Sequence, residues 1–93
     1  MILTFADAAT ERFFHHGVCA PAWRALAKVV ARKLDMLDAA AKLGDLRAPP
    51  GNRLEALKGD RAGQYSIRIN ERWRVCFIWT ENGPDRVEIV DYH

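Results

Sequence analysis

Five residues in the second half of the chain bring together the groups that acid–base chemistry on a phosphate needs: Lys58, Arg74 and the run Asp91-Tyr92-His93. A phenol, an imidazole and a carboxylate form a compact acid–base set, and Lys58 and Arg74 add positive charge. Together they suit metal-free cleavage of RNA. That reaction needs a base for the 2′-OH proton, an acid for the 5′-oxygen leaving group and cations for the charge developing on the phosphate. His93 or Tyr92 suits the proton transfers, Arg74 and Lys58 the phosphate, and Tyr65 or Tyr92 could stack on a base. Residue chemistry alone leaves a second reading open. In it Tyr92 is an edge residue, His93 is solvated, and the basic groups hydrate the outer side of a one-sided sheet.

Other chemistries find little support. His15 and His16 are adjacent rather than four apart, and no Cys or Glu completes a zinc set, so no metal is expected. Gly59 and Gly63 belong to turns and not to a phosphate-cradling loop. Ser66 is the only serine and sits in mid-strand, where no Ser-His-Asp arrangement can be argued. No cofactor is expected. Cys19 and Cys76 lack a redox or metal spacing and are expected as two free, largely buried thiols. The 93 residues suit one domain of 1–93 with a modest core. With 49% hydrophobic and 28% charged residues, disorder is not indicated. The net charge of +2 means that any nucleic-acid site must come from how the basic residues are distributed. Apolar runs fall well short of the roughly 20 residues of a membrane span, and residues 1–20 lack a leader pattern. The expected compartment is therefore the cytoplasm.

Positioning the five residues falls to a helical half followed by a strand-rich half. Met1–Phe5 is a short β-prone run. Asp7 can cap a helix through about His16, which Gly17 would end. Pro21 suits the first turn of a second helix running to about Leu43. Trp23, Leu26, Ala27, Val30, Leu34, Leu37 and Ala41 give that helix one apolar stripe. Arg47 to Asn52 is a loop, since two prolines and a glycine exclude regular structure. The period then changes to two. Arg53–Leu57 predicts a short strand and Lys58–Gly63 a turn-rich connection. Tyr65, Ile67 and Ile69 alternate with Ser66, Arg68 and Asn70, and Trp73, Val75, Phe77 and Trp79 with Arg74, Cys76 and Ile78. Asn70-Glu71-Arg72 is the hairpin between them, Asn82-Gly83-Pro84 the next turn, and Arg86–Tyr92 the last strand. The expected fold is α+β, in the order β-α-α-β-β-β-β, with both helices packed on one face of an antiparallel sheet.

Alternation sorts these strands into two surfaces. The apolar set can cover the helices. The opposite face presents Ser66, Arg68, Asn70 and Arg74, with Lys58 and Arg61 entering from the connection. The row Arg24, Lys28 and Arg32 on the second helix is either a solvated face or a contact for ribosomal RNA or an acidic partner.

Several of these stretches resemble the HigB branch of RelE-like toxins. They are Leu46–Gly63 with its Leu-Lys-Gly-Asp-Arg, then Tyr65-Ser-Ile-Arg-Ile-Asn70, Trp73-Arg-Val-Cys-Phe77 and Val90-Asp-Tyr-His93. The resemblance spans essentially the whole chain, and these motifs are specific jointly rather than singly. It implies a RelE-like fold and a type II toxin that cuts mRNA in the ribosomal A site, docking partly on ribosomal RNA. It also implies a HigA-type helix-turn-helix antitoxin encoded beside the toxin, with operator DNA reached only through that antitoxin. The family's active-site positions fall on Lys58, Arg74, Asp91, Tyr92 and His93, with Arg53, Arg61 and Arg68 on the same basic surface. One position departs: Glu55 stands where some HigB toxins carry histidine. Its carboxylate could still act as a base, though it repels phosphate unless protonated or paired with Arg53 or Lys58; alternatively His93 carries more of the proton transfer, or Glu55 is structural. A non-cleaving binder of the ribosome or its RNA, blocking translation or ribosome maturation, stays open as the alternative.

Overall fold

Helix α1 (Ala8–His16) starts where Asp7, in extended backbone, accepts a hydrogen bond from the Thr10 amide at 3.1 Å. It ends at Gly17, whose φ of 73° lets its amide reach back to the Phe13 carbonyl at 2.9 Å. The computed structural model describes residues 1–91, so the expectations placed on Tyr92 and His93 lie outside the described residues.

The second helix is shorter and less regular than its apolar stripe predicts. Pro21–Leu26 is a 3-10 segment, broken at Trp23 (φ −127°, ψ 27°), and the α-helix proper, α2, runs over Ala27–Ala39. It stops a turn short of Leu43 because Asp45 intervenes. Its carboxylate accepts from the amides of Ala41 at 3.0 Å and Lys42 at 3.2 Å, donors that a further helical turn would use. The stripe itself buries Trp23, Val30, Leu34 and Leu37.

Strands β1 (Glu55–Ala56), β2 (Tyr65–Arg68), β3 (Trp73–Thr80) and β4 (Gly83–Asp91) form one antiparallel sheet in the order β1-β2-β3-β4. The strand expected over Arg53–Leu57 is cut to two residues. The strand expected over Met1–Phe5 is reduced to one parallel bridge, Phe5 to Val87. The cause is Arg86, whose φ of 51° bends β4, and whose amide is taken by Thr4 Oγ1 (3.1 Å) and Asp85 Oδ1 (3.0 Å). At the other end of this contact, a Cβ on Gly83 would sit 2.4 Å from the Met1 carbonyl oxygen, so only glycine permits the approach. The inner face of the sheet (Ile67, Val75, Phe77, Val87 and Ile89) meets Trp23, Val30, Leu34, Leu37 and Leu46 in one core. Thr10, fully buried, ties α1 to the sheet by accepting from the Ile89 amide at 3.2 Å.

The loop before β1 is anchored by a polar pair that no hydrophobic pattern announces. Asn52 is fully buried. Its Nδ2 donates to the carbonyls of Leu46 (3.0 Å) and Ala48 (3.2 Å), and its Oδ1 accepts from Lys33 Nζ on α2. Lys33 is only 8% exposed, and burial first, then neighbouring Arg32, pushes its pKa down. Arg53 follows in the left-handed region, φ 45°, with its amide on the Pro50 carbonyl at 3.2 Å.

Two predictions follow from this pair. Asn52→Ala strands a buried amine and two carbonyls, and is expected to cost roughly 2–4 kcal/mol in urea denaturation; a loss below about 1 kcal/mol would show that the pair holds nothing. Because the folded Lys33 binds its proton less tightly than the unfolded one, the unfolded chain carries more protons between the two pKa values. Stability should therefore rise as pH climbs towards the ordinary lysine range, and Lys33→Met should flatten that rise.

Candidate nucleic-acid interface

Strand register places the candidate residues more sharply than alternation does. Across the outer face, Glu55, Ser66, Cys76 and Glu88 form one row on β1 to β4, and Arg68, Arg74 and Val90 the neighbouring row. The centre of this face is not open to water, as simple alternation suggests, because Ser66 and Cys76 are fully buried under the long side chains around them. Cys19 is half-buried, so of the two free thiols only Cys76 is fully enclosed.

Arg74 is the fixed point of the surface. Its Nε donates to Ser66 Oγ at 2.7 Å and its Nη2 to the Arg53 carbonyl at 2.8 Å. These two anchors, one on strand β2 and one in the loop before β1, orient the guanidinium plane. Arg68 lies directly opposite Arg74 in the β2–β3 ladder. Like charges so placed oppose each other, an arrangement that a bound anion would relieve. Lys58 is exposed just beyond β1 and shares a shallow cleft of about 380 Å³ with Glu55, Ala56 and Leu57. Glu55, opposite Ser66, therefore sits on the Arg74 side of the sheet.

Other candidates are committed elsewhere. Arg61 pairs with Glu88 at 2.8 Å and donates to Gln64 Oε1 at 3.0 Å, so its charge is already met. Asp91 is opposite Trp73 and thus on the inner side, where its carboxylate meets Arg72 through Nε (2.9 Å) and Nη2 (2.6 Å). That bond raises the Arg72 pKa. Tyr65 is also on the inner side, opposite Phe77, and lines a different cleft with Arg53. Arg24, Lys28 and Arg32 are exposed on the helical layer, which packs on the inner face, and the structure does not bring them to Arg74.

Alternation places Ser66 on the basic face but, as a small hydroxyl between two apolar positions, it carries no sign of its anchoring role; Asn52 and Arg72 escaped the sequence reading. The Arg72–Asp91 pair becomes visible only once the β3–β4 register is known.

A family model described as RelE-like toxin of type II toxin–antitoxin system HigB matches residues 3–93. The chain belongs to this HigB-like toxin family. Membership in a type II system implies an antitoxin partner. Toxin HigB-1 of Vibrio cholerae is 39% identical over 85 residues, covering 87% of this chain and 86% of that protein. Endoribonuclease HigB of Proteus vulgaris is 28% identical over 93 residues, the full length of both chains. An uncharacterised protein of Haemophilus influenzae is 46% identical over 57 residues, 61% of this chain and 56% of that one. No helix among the described residues of this HigB-like toxin is long and apolar enough to cross a membrane.

One consequence concerns the enclosed thiol of this toxin. Burial chiefly raises the Cys76 pKa, Arg61 opposes the rise, Glu88 adds to it, and Arg74 opposes it. Since the thiolate is the reactive form, Cys76 should alkylate at neutral pH at least about tenfold more slowly in the folded chain than in denaturant, with Cys19 reacting first. Mass spectrometry of partially alkylated protein checks the order; equal labelling would show an open outer face.

Proposed function

We propose that this HigB-like toxin is a ribosome-dependent endoribonuclease that cuts mRNA in the A site by metal-independent acid–base chemistry. The observation that carries the reading is the anchored guanidinium of Arg74, set opposite Arg68 on the face that also bears Glu55, with the exposed Lys58 just beyond the end of β1. The name and full-length similarity of the Proteus vulgaris endoribonuclease support it.

In the proposed reaction the 2′-oxygen attacks the neighbouring phosphorus as its proton passes to a base. The 5′-oxygen leaves as it takes a proton from an acid, giving a 2′,3′-cyclic phosphate and a 5′-hydroxyl. Arg74 and Lys58 hold the phosphate oxygens where negative charge grows. His93 and Tyr92 handle the protons. Asp91, already held by Arg72, orients the end of β4 rather than moving a proton. A single anchored arginine on an open face positions a phosphate but provides few other contacts, and the ribosome would supply the rest by presenting the message. The partner that silences the site is a HigA-type helix-turn-helix antitoxin, through which alone the toxin would reach operator DNA. Within the HigB branch this reading likens the chain to the GraT toxin, on the order of Leu-Lys-Gly-Asp-Arg, Ile-Arg-Ile-Asn and Asp-Tyr-His, and takes the cytoplasm as its compartment.

Glu55 favours a second reading, since a carboxylate one strand from Ser66 repels phosphate. In that reading the toxin occupies the ribosome without cutting. Mapping mRNA 5′ ends after brief induction separates the two. Codon-positioned cuts in the wild type, lowered roughly a hundredfold or more in Arg74→Ala and in His93→Ala, are expected. Intact messages with arrested growth favour the binder, and wild-type cutting by both variants would sink the assigned chemistry.

A further inference from the structure

One cleft lies on the side of the sheet away from Arg74's row and is not used by the chemistry above. It has a volume of about 510 Å³ and is lined by Leu43, Arg47, Pro50, Arg53, Leu54, Ala56 and Tyr65. That size falls among sites for small organic ligands, roughly 300–1,000 Å³. We propose that it is a nucleotide subsite, taking one base of single-stranded RNA on the Tyr65 ring and an adjoining phosphate on Arg47 and Arg53.

The inner row of the sheet shows why a base fits. Phe77, Tyr65 and Ala56 are cross-strand neighbours on β3, β2 and β1. The Phe77 and Tyr65 rings stack at 6.3 Å between centroids, 26° from parallel. Phe77 is fully buried and takes no part in the cleft, whereas Tyr65 is half-buried and lines it. One face of Tyr65 therefore rests on the core and the other borders the cleft. The next position in the row is Ala56, whose methyl leaves empty the place that a third ring would fill. A nucleobase there continues the row of rings, with Leu43, Leu54 and Pro50 as apolar walls.

The charges point to a nucleotide rather than to a neutral aromatic. Arg47 and Arg53 are exposed, and their guanidinium groups make no hydrogen bond or ion pair among the described residues. No carboxylate is among the described residues that line the cleft. Planar guanidinium forks suit phosphate oxygens and stack on bases. Arg53 also joins this cleft to the cleavage site, because its carbonyl accepts from Arg74 Nη2 at 2.8 Å. One strand of RNA can thus hold a phosphate on Arg74 while a flanking base turns over the β1 edge onto Tyr65.

This subsite rests on the nuclease reading, and cleavage in a reconstituted translation system tests it apart from that reading. Ala56→Phe fills the slot, Tyr65→Leu removes the ring, Tyr65→Phe keeps it, and Arg47→Ala removes a charge at an exposed position where folding is not at stake. Ala56→Phe and Tyr65→Leu should each lower kcat/KM about tenfold, mainly through KM, and change the nucleotide preference beside the cut. Arg47→Ala should lower it less and weaken its dependence on salt. Tyr65→Phe should match the wild type. Wild-type efficiency and unchanged preference in Ala56→Phe, Tyr65→Leu and Arg47→Ala would overturn the subsite while leaving the nuclease intact. A wild-type toxin that cuts no message would remove both.

Discussion

The surface depends on one backbone carbonyl. Arg53 accepts a hydrogen bond from Arg74 only because its own backbone is turned into the left-handed region, a conformation that costs a non-glycine residue roughly 1–2 kcal/mol. The neighbouring loop holds it there. Asn52, buried against Lys33 and the carbonyls of Leu46 and Ala48, fixes the chain immediately before Arg53. The buried amine is tolerated because its partner is in place, and the loop is ordered because the amine needs that partner. A contact within the helical layer thus reaches across the β1 edge to the guanidinium on the opposite face.

That dependence separates the arginines on the outer face. Arg61 is neutralised by Glu88 and behaves as part of the covering over Cys76. Arg74 is oriented by neutral acceptors, a serine hydroxyl and a carbonyl, which direct the group without cancelling its charge. Arg68 opposite it adds repulsion instead of relief. Among the described residues the sheet sets Arg68 and Arg74 side by side and turns Glu88 and Asp91 to Arg61 and Arg72. For a chain of net charge +2, such local segregation is what can bind a phosphate.

Much of the frame was legible in the sequence. Asp7 and Gly17 bounded the first helix, the Trp23 to Leu37 stripe found the core, and period-two alternation found the hairpin of Ile67 and Val75. What escaped were features decided by side-chain hydrogen bonds to the backbone. Asp45 ended the second helix, and Thr4 with Arg86 broke the first strand into a bridge. The polar pair of Lys33 and Asn52 interrupts a hydrophobic pattern and so gave no periodic signal. Of the candidate site, Arg74, Arg68 and Ser66 were correctly assigned to one face, while the side of Glu55 came only with the β1–β2 register. Asp91 shares the parity of Val87 and Ile89, which places it on the inner side; the sequence contained that information, but the chemistry of its neighbours drew attention away from it.

The central claim is that Arg74 binds phosphate because Ser66 and the Arg53 carbonyl hold it in place. Cleavage kinetics of Ser66→Ala and Ser66→Thr test it most directly. A lost hydrogen bond to a charged group predicts a fall in kcat/KM of about tenfold or more for Ser66→Ala, with the thermal midpoint little changed and activity recovered in Ser66→Thr. Wild-type cleavage by Ser66→Ala would contradict the account, since Arg74 would then act without the anchor that distinguishes it.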